Sequence, residues 1–212
     1  SSPNSLRVTM TLPHKGQITG MGIPQGITLI VGGGYHGKST LLQALELGVY
    51  NHIAGDGREY IITDSSALKL RSEDGRFIKD VDISLFINDL PNQKDTRCFS
   101  TEDASGSTSQ AAGIIEGMEA KSCLFLLDED TSATNFMVRD SFMQKVIRRE
   151  KEPITPFLER ARDLYAQAGI STILVAGSSG AFFHIADTIL QMDCYRTLDI
   201  TAQTKALCAD YP

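Results

Sequence analysis

The chain has 212 residues, 42% hydrophobic and 22% charged, with 18 Gly; these are values of an ordinary globular domain and exclude a disordered, collagen-like or coiled-coil chain. Twenty Lys+Arg against 26 Asp+Glu leave a net charge of −6, which argues against a domain-wide electrostatic footprint for nucleic acid. No apolar run approaches the ~18 residues of a membrane span, and no leader-like segment is visible, so a cytoplasmic protein without membrane contact is expected.

From the N-terminus, Leu6–Leu12 alternates apolar and polar residues, which predicts a half-buried antiparallel strand. Ile27–Val31 is almost continuously apolar and runs into three glycines, as a strand buried on both faces of a parallel sheet does. Leu41, Leu42, Ala44, Leu45 and Leu47 give Lys38–Leu47 helical spacing. Further strands are predicted at Tyr60–Thr63, Ile83–Ile87, Cys123–Leu127, Thr172–Val175 and Thr188–Met192, and helices at Ser107–Ala120, Asn135–Arg149 and Pro156–Ala168. Strands alternating with helices predict an α/β fold with a mainly parallel sheet. The mixed-sign run Arg148–Glu152 reads as a solvated helix end. Cys98, Cys123, Cys194 and Cys208 show neither C-x-x-C pairing nor metal-ligand spacing, so reduced, structural thiols are expected, with Cys123 buried. His52 and His184 read as structural histidines.

Gly32-Gly33-Gly34-Tyr35-His36-Gly37-Lys38-Ser39 satisfies G-x-x-x-x-G-K-[ST] between a buried strand and a helix, where that motif cradles phosphate. Glycines let successive amides curl around an anion, and the helix N-terminus beyond adds partial positive charge. Lys38 is expected on the β- and γ-phosphates, and Ser39 on Mg²⁺. Leu124-Phe125-Leu126-Leu127-Asp128-Glu129 is a second signal: an apolar strand delivering two carboxylates at its C-terminal end. Asp128 is expected to hold Mg²⁺, and Glu129 to orient and deprotonate water.

The following Asp130-Thr131-Ser132-Ala133-Thr134-Asn135 resembles the ABC-type ATPase pattern of a catalytic Glu and a Ser-Ala D-loop. Ala104-Ser105-Gly106-Ser107-Thr108 resembles the ABC signature, in which Ser-Gly-Gly opens a helix. Gly20–Pro24, Gly32–Thr40, Gly55–Glu59, Phe99–Gln110 and Glu152–Phe157 make the chain similar to the group described as predicted ATPases of the ABC class, over roughly Ser5 to Thr201. That resemblance implies a P-loop NTPase core of ABC type over residues 1–212, excerpted from a longer protein, with a small antiparallel β element and a much reduced helical subdomain. It also implies ATP on Gly32, Gly33, Gly34, Tyr35, His36, Gly37, Lys38, Ser39 and Thr40, and a homodimer in which Ser105, Gly106 and Ser107 of one copy reach the γ-phosphate of the other.

The sequence departs from the pattern in places. Ser107 replaces the second signature Gly, and no aromatic residue precedes Tyr35 to stack on adenine. The switch His is absent from Ala176-Gly177-Ser178-Ser179-Gly180, where a hydroxyl such as that of Ser178 is the substitute candidate. Asn88 is the candidate for the Mg²⁺-linked Gln. The expected function is therefore ATP hydrolysis in composite sites of a head-to-tail dimer, driving conformational work. The alternative is a slowly hydrolysing clamp or scaffold, with nucleic acid reached through flanking regions. The short span from Lys38 to Ser105 speaks against a transporter subunit.

Overall fold

The structure, a computed structural model, describes residues 2–148 and 151–211. Its centre is a six-stranded sheet. From edge to edge it consists of β10 (Arg196–Asp199), β9 (Thr188–Asp193), β3 (Ile27–Val31), β8 (Ser171–Val175), β7 (Leu124–Asp128) and β4 (Leu68–Leu70). β9, β3, β8, β7 and β4 run parallel, and β10 turns back antiparallel on β9. Because side chains alternate along a strand, the sheet feeds two cores. Ile27, Leu29, Phe125, Leu127 and Leu174 face α2 (Gly106–Glu119) and α5 (Phe157–Ala168). Ile30, Leu126, Ile173 and Val175 face Leu42 of α1 (Lys38–Leu47). Burial on both faces explains why these strands read as continuous apolar runs.

Two small antiparallel elements flank the sheet: β1 (Arg7–Leu12) with β2 (Gly16–Met21), and β5 (Ile78–Val81) with β6 (Phe99–Thr101). β1 is largely exposed rather than half-buried, with Val8 and Met10 open to solvent. The predicted strand Tyr60–Thr63 is irregular chain. Ile83–Ile87 is a tight turn in which the Phe86 and Ile87 amides both donate to the Ile83 carbonyl (3.0 and 2.9 Å), burying Ile83, Phe86 and Ile87 together. Phe86 packs in turn against Phe136 in a tilted contact, ring centroids 5.1 Å apart.

The predicted helix Asn135–Arg149 breaks into α3 (Thr134–Met137) and α4 (Ser141–Val146). Asp140 restarts it by accepting the amides of Phe142 and Met143, both at 2.9 Å. Its predicted end at Arg149, and Glu150 of the charge run, lie outside the described residues. No α-helix occurs in residues 48–105, the stretch where the helical subdomain was expected to be much reduced. A last helix, α6 (Thr201–Cys208), follows β10. Cys98, Cys123 and Cys194 are exposed and Cys208 half-buried, all as free thiols, so Cys123 is not the buried residue its neighbours suggest. His52 is structural: its Nδ1 meets Asp56 at 2.6 Å and its Nε2 the Leu47 carbonyl at 2.9 Å. The ring of His184 is exposed.

Candidate functional site: a phosphate loop facing a capped glutamate

Register fixes the site. Ile30 of β3 pairs with Val175 of β8, and Val175 pairs with Asp128 of β7. The loops after these three strands therefore leave the same, C-terminal edge of the sheet, where ligands of open α/β sheets bind. The first is Gly32–Gly37, the second Ala176–Gly180, and the third begins at Glu129.

The first loop takes its shape from glycine. Gly32 has φ +145° and a Cβ there would collide with the Met192 carbonyl. Gly37 has φ +100° and a Cβ would stand 2.7 Å from the Tyr195 ring. Both positions are closed to L side chains, while Gly34 opens onto free space. α1 follows with no side-chain cap and no acidic residue in its first turn, so its N-terminal donors face the loop unneutralised. Lys38 Nζ folds back onto the carbonyls of Gly32 and Gly33, at 3.1 Å from the latter. A movable cation, glycine backbone and free helix amides together fit a polyphosphate. Tyr35 is fully exposed at φ +63°, and Ser39 and Thr40 are exposed on the first turn of α1.

The loop after β8 has the same chemistry with the opposite orientation. Its amides point inward, onto a carboxylate of the chain itself. Glu129 Oε2 accepts from Gly177 N at 2.6 Å and Ser178 N at 3.0 Å, with Ser179 N at 3.5 Å, and Oε1 accepts from the Ser178 hydroxyl at 3.1 Å. Burial pushes the Glu129 carboxyl up, but these donors, the Ser178 and Gly177 amides foremost, outweigh it and hold the group below the usual glutamate range. Asp128, buried beside it, accepts the Asp130 amide at 3.1 Å and so starts the short 3₁₀ turn Glu129–Thr131.

The signature-like segment caps α2. Ser105 Oγ accepts the Thr108 amide at 3.3 Å and lies 2.8 Å from the Thr108 hydroxyl. Ser105 is exposed, whereas Ser107 is buried with its hydroxyl 3.3 Å from that of Ser105. Gly106 is required by close approach: a Cβ would sit 2.5 Å from Ser72 Oγ and 2.9 Å from Asp74. Asn88 is held within its own turn, its amide donating to the Ser84 carbonyl at 2.6 Å. A cavity of about 560 Å³ lies elsewhere, between the β1–β2 hairpin, α1 and Tyr60–Asp64, and no residue of Gly32–Thr40 lines it.

One residue, at the end of the Phe99–Gln110 segment, has a role that spacing does not assign. Gln110 of α2 is fully buried; its Nε2 donates to Ser132 Oγ and its Oε1 accepts the Ala133 amide, both at 2.9 Å. It pins α2 to the turn after Glu129. Ser109 adds a second stitch, accepting the Glu73 amide at 2.9 Å, and Ser72 N donates to Thr131 O at 2.9 Å. The only sequence signal is a glutamine in a helix of small residues, four places after Gly106.

A phosphate loop and a carboxylate-ended strand on one edge of such a sheet define a P-loop nucleotide-binding domain. The chain matches the ABC_ATPase P-loop domain across residues 1–212, and it belongs to that family. It is 38% identical over 133 residues to the uncharacterized protein MJ1628 of Methanocaldococcus jannaschii, a stretch covering 62% of this chain and 30% of that protein. Among solved structures, it is similar in fold to the ADP conformation of MJ1267, an ATP-binding cassette of an ABC transporter. That match has a TM-score of 0.55 and 11% identity, covering 97% of this chain and 94% of the other. It is also similar in fold to cbiO1 from Clostridium perfringens, part of the ABC transporter complex cbiONQ. There the TM-score is 0.58 and the identity 15%, covering 97% and 88%. No helix among the described residues is long and apolar enough to cross a membrane.

Proposed function

We propose that this domain binds MgATP on Gly32–Thr40 and hydrolyses it slowly, in a site completed by Ser105 of a second copy in a head-to-tail homodimer. The observation that carries this reading is the preformed loop: Gly32 and Gly37 in conformations closed to other residues, with Lys38 parked on the carbonyls it would leave for phosphate. Ser39 and Asp128 would hold Mg²⁺, with Asn88 as third candidate, and the ion would supply charge neutralisation at the phosphates. Exposed Ser105 offers a hydroxyl to the partner's nucleotide; buried Ser107 offers only backbone.

Glu129 is the base of this scheme, but the Gly177–Ser179 amides hold its charged form and make it a weak proton acceptor. Turnover requires those donors to let go, with Ser178 then free to turn towards the γ-phosphate. The same capping favours a second reading, in which ATP closes the dimer as a clamp and hydrolysis only resets it. Calorimetry with MgATP tests the binding, and phosphate release by the wild type and by Glu129→Gln separates the two readings. Turnover of the wild type well above that of Glu129→Gln supports an ATPase; equal rates leave the clamp; absence of binding heat overturns both. Glu129→Gln is also expected to accumulate as an ATP-dependent dimer on size exclusion, and a monomer at saturating ATP contradicts the composite site.

A further inference from the structure

The imidazole of His36 takes no part in the scheme above, and its surroundings call for a cation. His36 lies in the phosphate loop, with its ring edge against Gly33, where a Cβ would meet Cδ2 at 3.2 Å. Its other edge faces the turn joining β9 to β10. There the Cys194 amide donates to His36 Nδ1 at 2.9 Å, and the Tyr195 amide donates to the His36 carbonyl at 3.0 Å. Asp193 Oδ1 lies 3.3 Å from that same Nδ1. The turn itself is unusual: Cys194 and Tyr195 both hold positive φ, +46° and +62°, in a two-residue hairpin of the kind normally built from Asn and Gly.

The hydrogen positions decide the electrostatics. An amide N–H aimed at Nδ1 makes that nitrogen an acceptor, so it carries no proton to offer Asp193. His36 Nδ1 thus lies 3.3 Å from a carboxylate oxygen and also takes the Cys194 amide. The Cys194 thiol joins them, since one ligand atom from each of the three residues lies within 4.8 Å of the other two. Among the described residues this is the one such group. Imidazole, carboxylate and thiolate are a donor set of Zn²⁺, which takes four ligands in a tetrahedron. Three protein ligands leave one position for water. Mg²⁺, which demands oxygen ligands in an octahedron, does not suit this set, so the site is distinct in chemistry from that of the nucleotide.

We infer that His36, Asp193 and Cys194 form a binding site for a zinc-type divalent cation, which clamps the phosphate loop onto the β9–β10 turn. On binding, the cation takes the Nδ1 lone pair from the Cys194 amide, and the thiol proton is released to solvent. The inference goes beyond nucleotide binding and does not depend on it.

Cobalt(II) is the probe. The chelator-treated chain, kept reduced with a phosphine, is titrated with Co²⁺ and followed by absorption. One equivalent is expected to bind with intense tetrahedral d–d bands and a sulfur-to-cobalt charge-transfer band, both displaced by Zn²⁺. Cys194→Ser, at an exposed position, is expected to lose the charge-transfer band, and His36→Gln to weaken binding at least tenfold. A variant with Cys98, Cys123 and Cys208 all changed to Ser is expected to keep the band. Without nucleotide, Zn²⁺ is expected to raise the melting temperature of the wild type and leave that of Cys194→Ser unchanged. A charge-transfer band that survives Cys194→Ser, or a wild type that gives only the weak spectrum of octahedral cobalt, overturns the site.

Discussion

Two loops on one edge of the sheet use the same donors for opposite ends. After β3, the backbone of Gly32–Gly37 is shaped around a space outside the chain, and Lys38 waits at its rim. After β8, the backbone of Gly177–Ser179 closes around Glu129, an anion the chain already has. Amide clusters bind negative charge wherever they find it. What distinguishes the two loops is whether the anion is a ligand or a side chain. The first loop is left open to solvent, and the second is filled by the Glu129 carboxylate.

That contrast is breakable by substitution. Lys38→Ala removes the one mobile cation of the open loop and is expected to abolish the ATP-induced rise in melting temperature. For the wild type at a hundredfold excess over Kd that rise reflects about 2.7 kcal/mol, several degrees for a domain of this size; an unchanged shift would remove the loop from the scheme. Glu129→Gln is expected to lower turnover by about 10²-fold or more through loss of the base, while ATP still raises the melting temperature. Loss of that rise in Glu129→Gln would mean that the two loops are not separable. Gln110→Ala leaves the Ala133 amide and the Ser132 hydroxyl without their buried partner, and a loss of about 1–3 kcal/mol is expected in chemical denaturation.

The smallest effect concerns pH. The Glu129 carboxyl titrates below its ordinary value in the folded chain, so its contribution to stability is complete above the unfolded glutamate value of about 4.3. That contribution declines as pH falls through the folded value. The stability gap between wild type and Glu129→Gln is therefore expected to narrow on acidification below about pH 4.3, measured by thermal melts. A gap that widens would place the carboxylate outside its amide cap.

How much of this was legible in the residues depended on burial. α1 has the predicted limits through its helical Leu and Ala spacing; β3 has them too, and β7, β8 and β9 lie within one residue of theirs, because strands covered on both faces are mostly apolar. Ile83–Ile87 shows the ambiguity of a short apolar run: the same residues reach the core from a turn. β4, with three residues at the sheet edge, and β10, entered through a Cys194-Tyr195 turn without Asn or Gly, carried no local signal. In the site, glycine spacing announced the phosphate loop because backbone geometry depends on residue type. The capping of Glu129 and the reach of Gln110 join residues far apart in the chain, and pairings of that kind leave no trace in spacing.

The buried Gln110 bridge has a mechanical meaning. With Ser109 and Ser72 it rivets the start of α2, the segment 72–75 and the turn after Glu129 into a single plate. Ser105, at the head of α2, is thereby tied through hydrogen bonds to the turn that follows Asp128 and Glu129.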